Sequence, residues 1–253
     1  MVLYFPVFLE IFSGSGRLGK AIHRVCNWTV LLWDIDYGEK YDLTQRRNQQ
    51  LILHWMQSGQ IRAGHLGTPC NSFSRARDRQ GGPPRLRSDL LPLGLPGLRP
   101  CDVLKVQIGN CLMRFTCRVL LLALQLYLPF TLENPHRSRL WLCPGVKSVC
   151  RRNRVEQCDV TFCAFGTCWK KPTKFLSVNL PLDLLQGKFC KSSKRGLCQF
   201  TGLAHVPLMG TNSQGVWLTK IAEPYPTRLT TLLAKCFCNT ELAAIAASFA
   251  RHI

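Results

Sequence analysis

The strongest structural signal in the chain is a series of short apolar runs that alternate with helical patterns. Residues 7–12 run into a turn at 13–16, and residues 29–34 form a second run that ends in an acid. Residues 61–67 and 129–133 repeat this plan further along the chain. Because successive parallel strands must be joined by crossovers, this alternation predicts a mostly parallel sheet with helices on both faces.

The remaining segments complete the predicted α/β, Rossmann-like fold. Helical patterns cover residues 17–22, 49–57, 103–126 and 227–251, the last with an interruption near Asn239. Residues 159–165 and 173–178 predict a late antiparallel hairpin, while 72–100 and 180–220 read as irregular. We therefore expect a core at residues 1–180, a short basic and Cys-containing segment at 181–222, and a C-terminal helical segment at 223–253 that packs on the core.

The charge of the chain favours an anionic partner. Thirty-three Lys and Arg residues against fourteen Asp and Glu give a formal net charge of +19. A field of this size favours nucleic acid first and an anionic membrane surface second. A basic surface without a specific partner remains the alternative.

Fourteen cysteines raise the question of disulfides or a metal site. The chain is too long for a small disulfide scaffold, and its 46% hydrophobic residues suit a larger core. We also expect no cleavable signal sequence. No Cys-x-x-Cys pair occurs, and Cys236-x-Cys238 is too close for a zinc knuckle. We therefore expect reduced cysteines in an intracellular monomer, with no metal site. The apolar residues 119–130 are too few for a membrane span, so we expect no membrane contact.

Residues at the predicted strand ends could bind a cofactor. Ligands of open α/β sheets bind beyond the carboxyl ends of the strands, where Phe12 and Asp34 lie. The turn at 13–16 lacks a dinucleotide or phosphate-loop signature, yet its small residues let a ligand approach the backbone. Asp34 could accept hydrogen bonds from ribose hydroxyls, and Asp42 could reach an adenine amine. An ordinary tight turn and a helix cap are the respective alternatives.

Two further strand ends carry groups suited to catalysis. Cys70 follows Pro69 at a strand end, where neighbouring arginines would favour its thiolate. Glu133 ends an apolar strand, so burial should raise its pKa and allow it to act as an acid. Core packing of Cys70 and a structural role for Glu133 are the alternatives.

Basic residues cluster next to these groups. The segment after Cys70 is rich in Gly and Pro and predicts a mobile loop that closes on phosphates. Its arginines are Arg75, Arg77, Arg79, Arg85 and Arg87. The hairpin turn adds Lys170, Lys171 and Lys174 beside Trp169. Solvated charge without a partner is the alternative for both groups.

The chain resembles the cytosine carbon-5 DNA methyltransferase family over roughly residues 7–180. The residues that carry the resemblance are Phe-Ser-Gly-Ser-Gly at 12–16, Tyr-Asp-Leu-Thr-Gln at 41–45, Pro-Cys-Asn-Ser-Phe-Ser at 69–74 and Glu-Asn at 133–134. These are similar to the family's cofactor loop, adenine segment, nucleophile motif and Glu-Asn motif. The amino-acid sequence in and around these motifs looks closer to divergent methyltransferase-like domains of mobile elements and large viruses than to host maintenance enzymes.

The resemblance implies S-adenosylmethionine as cofactor, DNA as substrate, and a nuclear location in a eukaryote. The Cys70 thiolate would add to carbon 6 of an unstacked cytosine, and the catalytic set would be Cys70, Glu133 and Asn134. The implied cofactor-binding residues are Phe12, Ser13, Gly14, Ser15, Gly16, Leu18, Asp34, Asp42, Leu43 and Pro69. The implied nucleic-acid contacts are Ser74, Arg137 and the basic residues of the loop and the hairpin turn named above.

Several departures from the family pattern leave alternatives open. Asn71 stands where the family has Gln, and Pro135 where it has Val. The family's Gln-x-Arg-x-Arg segment is not visible, and residues 180–220 are short for a target-recognition region. A non-catalytic nucleic-acid-binding remnant and an RNA cytosine methyltransferase therefore remain as alternatives to the DNA enzyme.

Overall fold

A six-stranded sheet organises the chain. The structure, a computed structural model, describes residues 6–79, 82–193 and 196–249, with the backbone alone over 242–249. The strands are β1 (Val7–Ile11), β2 (Thr29–Trp33), β3 (Ile61–Leu66), β4 (Phe130–Pro135), β5 (Val155–Thr161) and β6 (Pro172–Val178). Their order is β2-β1-β3-β4-β6-β5, and β6 runs antiparallel to both of its neighbours. The predicted α/β, Rossmann-like fold with a late antiparallel hairpin is confirmed.

Helices cover both faces of this sheet. They are α1 (Arg17–Cys26), α2 (Arg46–Gln57), α3 (Pro100–Gln125), α4 (Pro144–Cys150), α5 (Leu218–Ile221) and α6 (Thr227–Phe249). One apolar cluster joins the sheet to α2, α3 and α4 through residues such as Ile52 and Val146. The other joins it to α1 and α6, where the rings of Phe8 and Phe237 meet edge to face at 5.0 Å.

The structure corrects several predicted elements. Residues 162–165 form a 3-10 turn and not the end of a strand, because β5 begins earlier, at Val155, and ends at Thr161. Helix α6 is continuous through Asn239, and the predicted helix end at 250–251 lies outside the described residues. Helix α4 was not predicted, since its seven residues are too few to show a helical period.

Helix α3 is, by length and composition, long and apolar enough to cross a bilayer. However, 56% of its most apolar window is buried within the fold. Its side chains Phe115, Val119 and Leu120 have no exposed surface and belong to the cluster between sheet and helices. Packing against the sheet therefore accounts for the apolarity of α3.

All fourteen cysteines are free, as expected from the sequence. Three of them, Cys163, Cys190 and Cys198, form a small buried cluster of their own, apart from both helix-covered clusters. Cys163 lies in the turn after β5, and the other two lie in the irregular segment that precedes α5. The tertiary fold thus brings together thiols that are distant in sequence.

Candidate active site

Strand register brings the predicted site residues to one edge of the sheet. One row of paired residues crosses four parallel strands: Trp33, Ile11, Leu66 and Leu132. The residues that follow this row lie along one line: Asp34, Phe12 and Gly67 leave the sheet, whereas Glu133 stays in β4 and pairs with Phe175 of β6. Neighbouring strands are about 4.8 Å apart, so these four ends span roughly 14 Å.

The turn after β1 is held against the end of β2. The Phe12 N–H donates to the Trp33 carbonyl at 2.8 Å, and the Gly14 N–H donates to Asp34 Oδ2 at 2.8 Å. Gly14 has a φ of +49°, in the left-handed region that favours glycine, and a Cβ there would meet nothing within 4 Å. The space beside this backbone is therefore open to a ligand, as the sequence predicted for this turn.

The Asp34 carboxylate accepts hydrogen bonds from the protein itself, which the sequence did not indicate. Its side chain is 8% exposed, and Oδ1 accepts a hydrogen bond from the Asp36 N–H at 3.0 Å while Oδ2 accepts from Gly14. Each oxygen retains a lone pair for a ligand. Ile35 and Tyr37, which follow at once, are 53% and 44% exposed and form an apolar surface beside the carboxylate.

Three other residues of the predicted cofactor set have structural contacts. Asp42 accepts hydrogen bonds from the backbone and hydroxyl of Thr44, and these bonds outweigh burial and lower the pKa of Asp42. Leu18 and Leu43 have 0% and 3% exposed surface and pack in the two apolar clusters. Hydrophobic packing places both side chains in the core, so the predicted cofactor contacts of Leu18 and Leu43 would have to involve their backbone atoms.

The loop that carries Pro69 and Cys70 is fixed from two sides. The Asn134 side chain donates from Nδ2 to the Thr68 carbonyl at 2.6 Å, and the Thr68 hydroxyl lies 2.7 Å from that of Thr116 in α3. Asn134 has no exposed surface. We therefore correct its predicted catalytic role: Asn134 positions the loop, and in this structure it cannot touch a substrate.

Charges and burial set the acidity of the central groups. Burial, and to a smaller extent the Glu133 carboxylate, raise the pKa of the partly exposed Cys70 thiol to about 11, and Lys171 opposes both effects. Burial also raises the pKa of Glu133, opposed by Lys171 and by a hydrogen bond from Tyr225. The predicted direction for Glu133 is confirmed. The prediction for Cys70 is wrong, because burial dominates and the cation beside the thiol is a lysine.

Lys171 lies inside this site, although the sequence placed it among surface contacts to nucleic acid. Its Nζ donates to the carbonyls of Ala222 and Glu223 at 2.7 and 3.2 Å and lies 4.4 Å from the centroid of the Phe162 ring. Burial lowers the pKa of Lys171, and the Glu133 charge counteracts that shift. Lys171 is therefore best described as the counter-charge of Cys70 and Glu133.

A hydrogen-bonded chain behind Glu133 was not predicted. The Tyr225 hydroxyl donates to Glu133 Oε2 at 3.1 Å and lies 2.9 Å from His65 Nε2, and His65 Nδ1 lies 2.7 Å from the Thr131 hydroxyl. Burial lowers the pKa of His65 to about 3, so the ring is neutral. Because Tyr225 donates to Glu133, it accepts from Nε2–H, and Thr131 must donate to Nδ1. A histidine within the apolar strand β3 was the one available sequence signal.

The arginine loop is tied to the body of the protein. Arg139, whose side chain is 3% exposed, pairs with Asp78 at 2.7 Å and with Asp89 at 3.1 Å. Arg75 and Arg85 pair with the same two carboxylates, at 2.7 and 2.9 Å. The predicted mobile loop is thus anchored by a buried arginine that the sequence analysis did not single out.

The predicted nucleic-acid contacts divide into exposed and buried residues. Arg87 is 1% exposed, donates to Ser72 and Asn110, and stacks 3.8 Å from the centroid of the Phe73 ring, so its predicted contact with nucleic acid is wrong. Arg79, Arg85 and Arg137 are exposed, whereas the partly buried Arg77 donates to backbone carbonyls of the loop. Lys170 donates to Ser192 at 3.0 Å, and Lys174 in β6 lies opposite Asn134.

Two of the depressions on the described surface can be compared with the predicted site. One of about 190 Å³ lies between the segment after Cys70 and the end of β4, and it is lined by Ser74, Arg75, Ala76, Pro135, Arg137, Ser138 and Pro172. A larger one of about 520 Å³ lies between α2 and α3, and none of its lining residues belongs to the predicted site. The smaller depression is lined by two arginines and Ser74 of the predicted set and adjoins the loop that carries Cys70.

Comparisons with known proteins provide no family assignment. No family model matches this chain, and no curated protein matches it. Sixteen chains of solved structures match. One is the structure of the Entamoeba histolytica methyltransferase EhMeth, which is 12% identical, aligns over 94% of this chain and 97% of that chain, and gives a TM-score of 0.40. A likeness this distant does not indicate an activity, so function must be inferred from the site.

Proposed function

We propose that this protein transfers a methyl group from S-adenosylmethionine to carbon 5 of cytosine in DNA. The observation that carries the proposal is the grouping of Cys70, Glu133 and Lys171 at the sheet edge where the turn at 13–16 opens. A thiol, an acid with a raised pKa and a cation are the groups that covalent addition to a pyrimidine ring requires.

The residues around Gly14 fit an adenosine cofactor that carries no phosphates. The backbone of the turn faces open space, the Asp34 carboxylate has lone pairs for ribose hydroxyls, and exposed Ile35 provides a surface for a base. This cofactor would supply an electrophilic methyl group on a sulfonium. Its reactive end would have to lie toward Gly67 and Cys70, the next strand end along the sheet.

The chain's own groups then account for the proton and bond changes. Cys70 loses its proton to solvent, and its sulfur bonds to carbon 6 while the Glu133 carboxyl gives a proton to ring nitrogen 3. The bound cofactor would supply the methyl group to carbon 5, and its sulfur would keep the electron pair of the broken carbon–sulfur bond. Removal of the carbon-5 proton by water breaks the bond between sulfur and carbon 6, and nitrogen 3 returns its proton to Glu133.

Exposed basic residues around the small depression would hold the opened DNA backbone. Arg79 and Arg137 are exposed, and the depression beside them adjoins the loop of Cys70. Contacts to phosphate position a nucleic acid without reading its sequence, which suits the short segment available for target recognition. An unstacked base is needed because the thiol cannot reach carbon 6 inside a duplex.

One observation favours a second candidate, a non-catalytic nucleic-acid-binding remnant. With a pKa of about 11, the Cys70 thiol is almost entirely protonated near neutral pH, which slows nucleophilic attack. Addition to the ring then needs a substrate or cofactor that moves the thiol pKa downward. A chain that has lost catalysis would keep the same fold and the same basic surface.

A covalent trapping experiment separates the two candidates. The protein is incubated with methyl-tritiated S-adenosylmethionine and DNA that contains 5-fluorocytosine, and with RNA of the same sequence. We expect a labelled protein–DNA adduct that survives denaturation and is absent from Cys70→Ala. Nucleic-acid binding without an adduct would support the remnant, an adduct with RNA alone would move the substrate to RNA, and failure to bind cofactor or nucleic acid would refute the proposal.

A further inference from the structure

We propose that Cys163, Cys190, Cys198 and His205 bind one zinc ion that organises the irregular segment before α5. The three sulfur atoms and one imidazole nitrogen lie within 4.8 Å of one another. Three cysteines with one histidine are an established ligand set for tetrahedral structural zinc. This inference is independent of the proposed methyl transfer, since none of these residues belongs to that site.

Two distances between ligand atoms are close to those of a tetrahedral zinc site, and none of the others exceeds 4.8 Å. Zinc–sulfur bonds of about 2.3 Å place two sulfur ligands about 3.8 Å apart, and a nitrogen ligand about 3.6 Å from a sulfur. The sulfurs of Cys190 and Cys198 are 3.9 Å apart, and Cys190 Sγ lies 3.8 Å from His205 Nε2. A disulfide would require sulfurs at about 2.05 Å. The spacing therefore fits a shared metal better than a covalent bond between the two thiols.

The burial and hydrogen bonds of the cluster favour metal binding. The three cysteines are 0–3% exposed, so a zinc ion here would be shielded from competing water ligands. The Phe200 N–H donates to the sulfur of Cys198 at 3.4 Å, and the Thr161 hydroxyl accepts a hydrogen bond from the Cys190 N–H at 2.9 Å. Hydrogen bonds of this kind orient metal ligands and support their charge.

A metal at this position would add a cross-link between two parts of the chain that hydrogen bonds already join, such as the one from the Thr161 N–H to the Lys188 carbonyl. Cys163 lies in the 3-10 turn after β5, whereas the other three ligands lie in a segment whose order rests on short turns and an isolated bridge between Leu197 and Ala204. The Val206 N–H also donates to the Cys168 carbonyl. The Phe162 N–H, in the turn that carries Cys163, donates to the Lys171 carbonyl. Zinc would therefore also help to position Lys171, the counter-charge of Cys70.

Metal analysis of the purified full chain tests the proposal. Protein purified without chelators should contain about one zinc per chain, and after chelation it should take up cobalt(II) with the visible spectrum of a tetrahedral thiolate site. Cys198→Ser should lose most of the zinc. Cys143→Ser, a change at another fully buried cysteine, should keep it.

Two further variants and a thiol count keep the test decisive should Cys198→Ser fail to fold. His205 is partly exposed, so His205→Asn should fold and bind zinc more weakly, while His205→Cys should retain it. In denaturant with chelator and without reductant, all 14 thiols should react with Ellman's reagent. Twelve reactive thiols, with peptide mapping that places a disulfide on Cys163, Cys190 or Cys198, would overturn the proposal, as would protein that neither contains zinc nor takes up cobalt(II).

Discussion

The opposed charges of Glu133 and Lys171 should shift the reactivity of Cys70 in opposite directions. Both residues affect the Cys70 pKa, Glu133 by raising it and Lys171 by lowering it. We therefore expect Glu133→Gln to make the thiol more acidic and Lys171→Gln to make it less acidic. Each change keeps a side chain of similar length, so the charge is the main difference.

The size of the effect follows from the arrangement of the strand ends. Two unit charges about 7–8 Å apart, the separation of diagonal neighbours on adjacent strands, interact by about 2 kcal/mol at an effective dielectric constant of about 20. Because Cys70 is partly exposed, solvent reduces this to about 1–2 kcal/mol, which corresponds to about one pKa unit and a tenfold change in thiolate. At pH 9 a pKa of about 11 leaves about one thiol in a hundred ionised.

Timed alkylation measures this fraction directly. The protein is exposed to iodoacetamide at pH 9, quenched, digested, and the peptide that contains Cys70 is quantified by mass spectrometry. We expect alkylation about tenfold faster in Glu133→Gln and about tenfold slower in Lys171→Gln. The matched control is Lys170→Gln, because Lys170 donates to Ser192 and does not contribute to the Cys70 pKa. Equal rates in all four proteins, or shifts of both variants in one direction, would refute the electrostatic assignment.

Three further predictions concern stability. Tyr225→Phe removes a hydroxyl that is hydrogen-bonded to the Glu133 carboxylate and the His65 imidazole, and should lower the free energy of unfolding by about 1–3 kcal/mol in urea titrations. The control Tyr127→Phe, at a 72% exposed position, should leave it unchanged. Asn134→Ala should lower the free energy of unfolding by about 1–3 kcal/mol and increase proteolysis of the loop that carries Cys70. An unchanged cleavage pattern would argue against a positioning role for Asn134. Arg139 holds the pKa of Asp78 at about 2, below the ordinary 3.8, so this contribution to stability is present above pH 4 and is lost as the pH falls toward 2. Urea midpoints should fall less steeply over that range in Asp78→Asn, and identical slopes would count against the pair.

Local sequence determined the sheet and the edge of it where the candidate site lies. Runs of β-forming residues that end in small or charged residues specify parallel strands, and register then places Phe12, Asp34 and Glu133 side by side. Glu133 at the end of an apolar strand also made the direction of its pKa shift predictable. These features depend on neighbours within a few residues, which a sequence displays directly.

Side-chain burial, in contrast, depends on contacts between distant segments. Lys171 faces Cys70 because the backbone before α6 supplies carbonyls to its ammonium group, and Tyr225 reaches Glu133 from a segment 92 residues away in sequence. Arg87 looks like its exposed neighbours in the sequence, yet packing on Phe73 removes it from the surface. Burial then decides acidity, which reverses the expected pKa shift of Cys70.

The sequence by itself determined the order of strands and helices and the edge of the sheet where reactive groups collect, because both follow from short-range hydrophobic patterning. Only the tertiary structure decided which charges meet there, and only it gathered Cys163, Cys190, Cys198 and His205 into one cluster. The separations between these four residues along the chain match no compact ligand motif. Their proximity arises from the packing of an irregular segment against the hairpin turn, which no local pattern encodes.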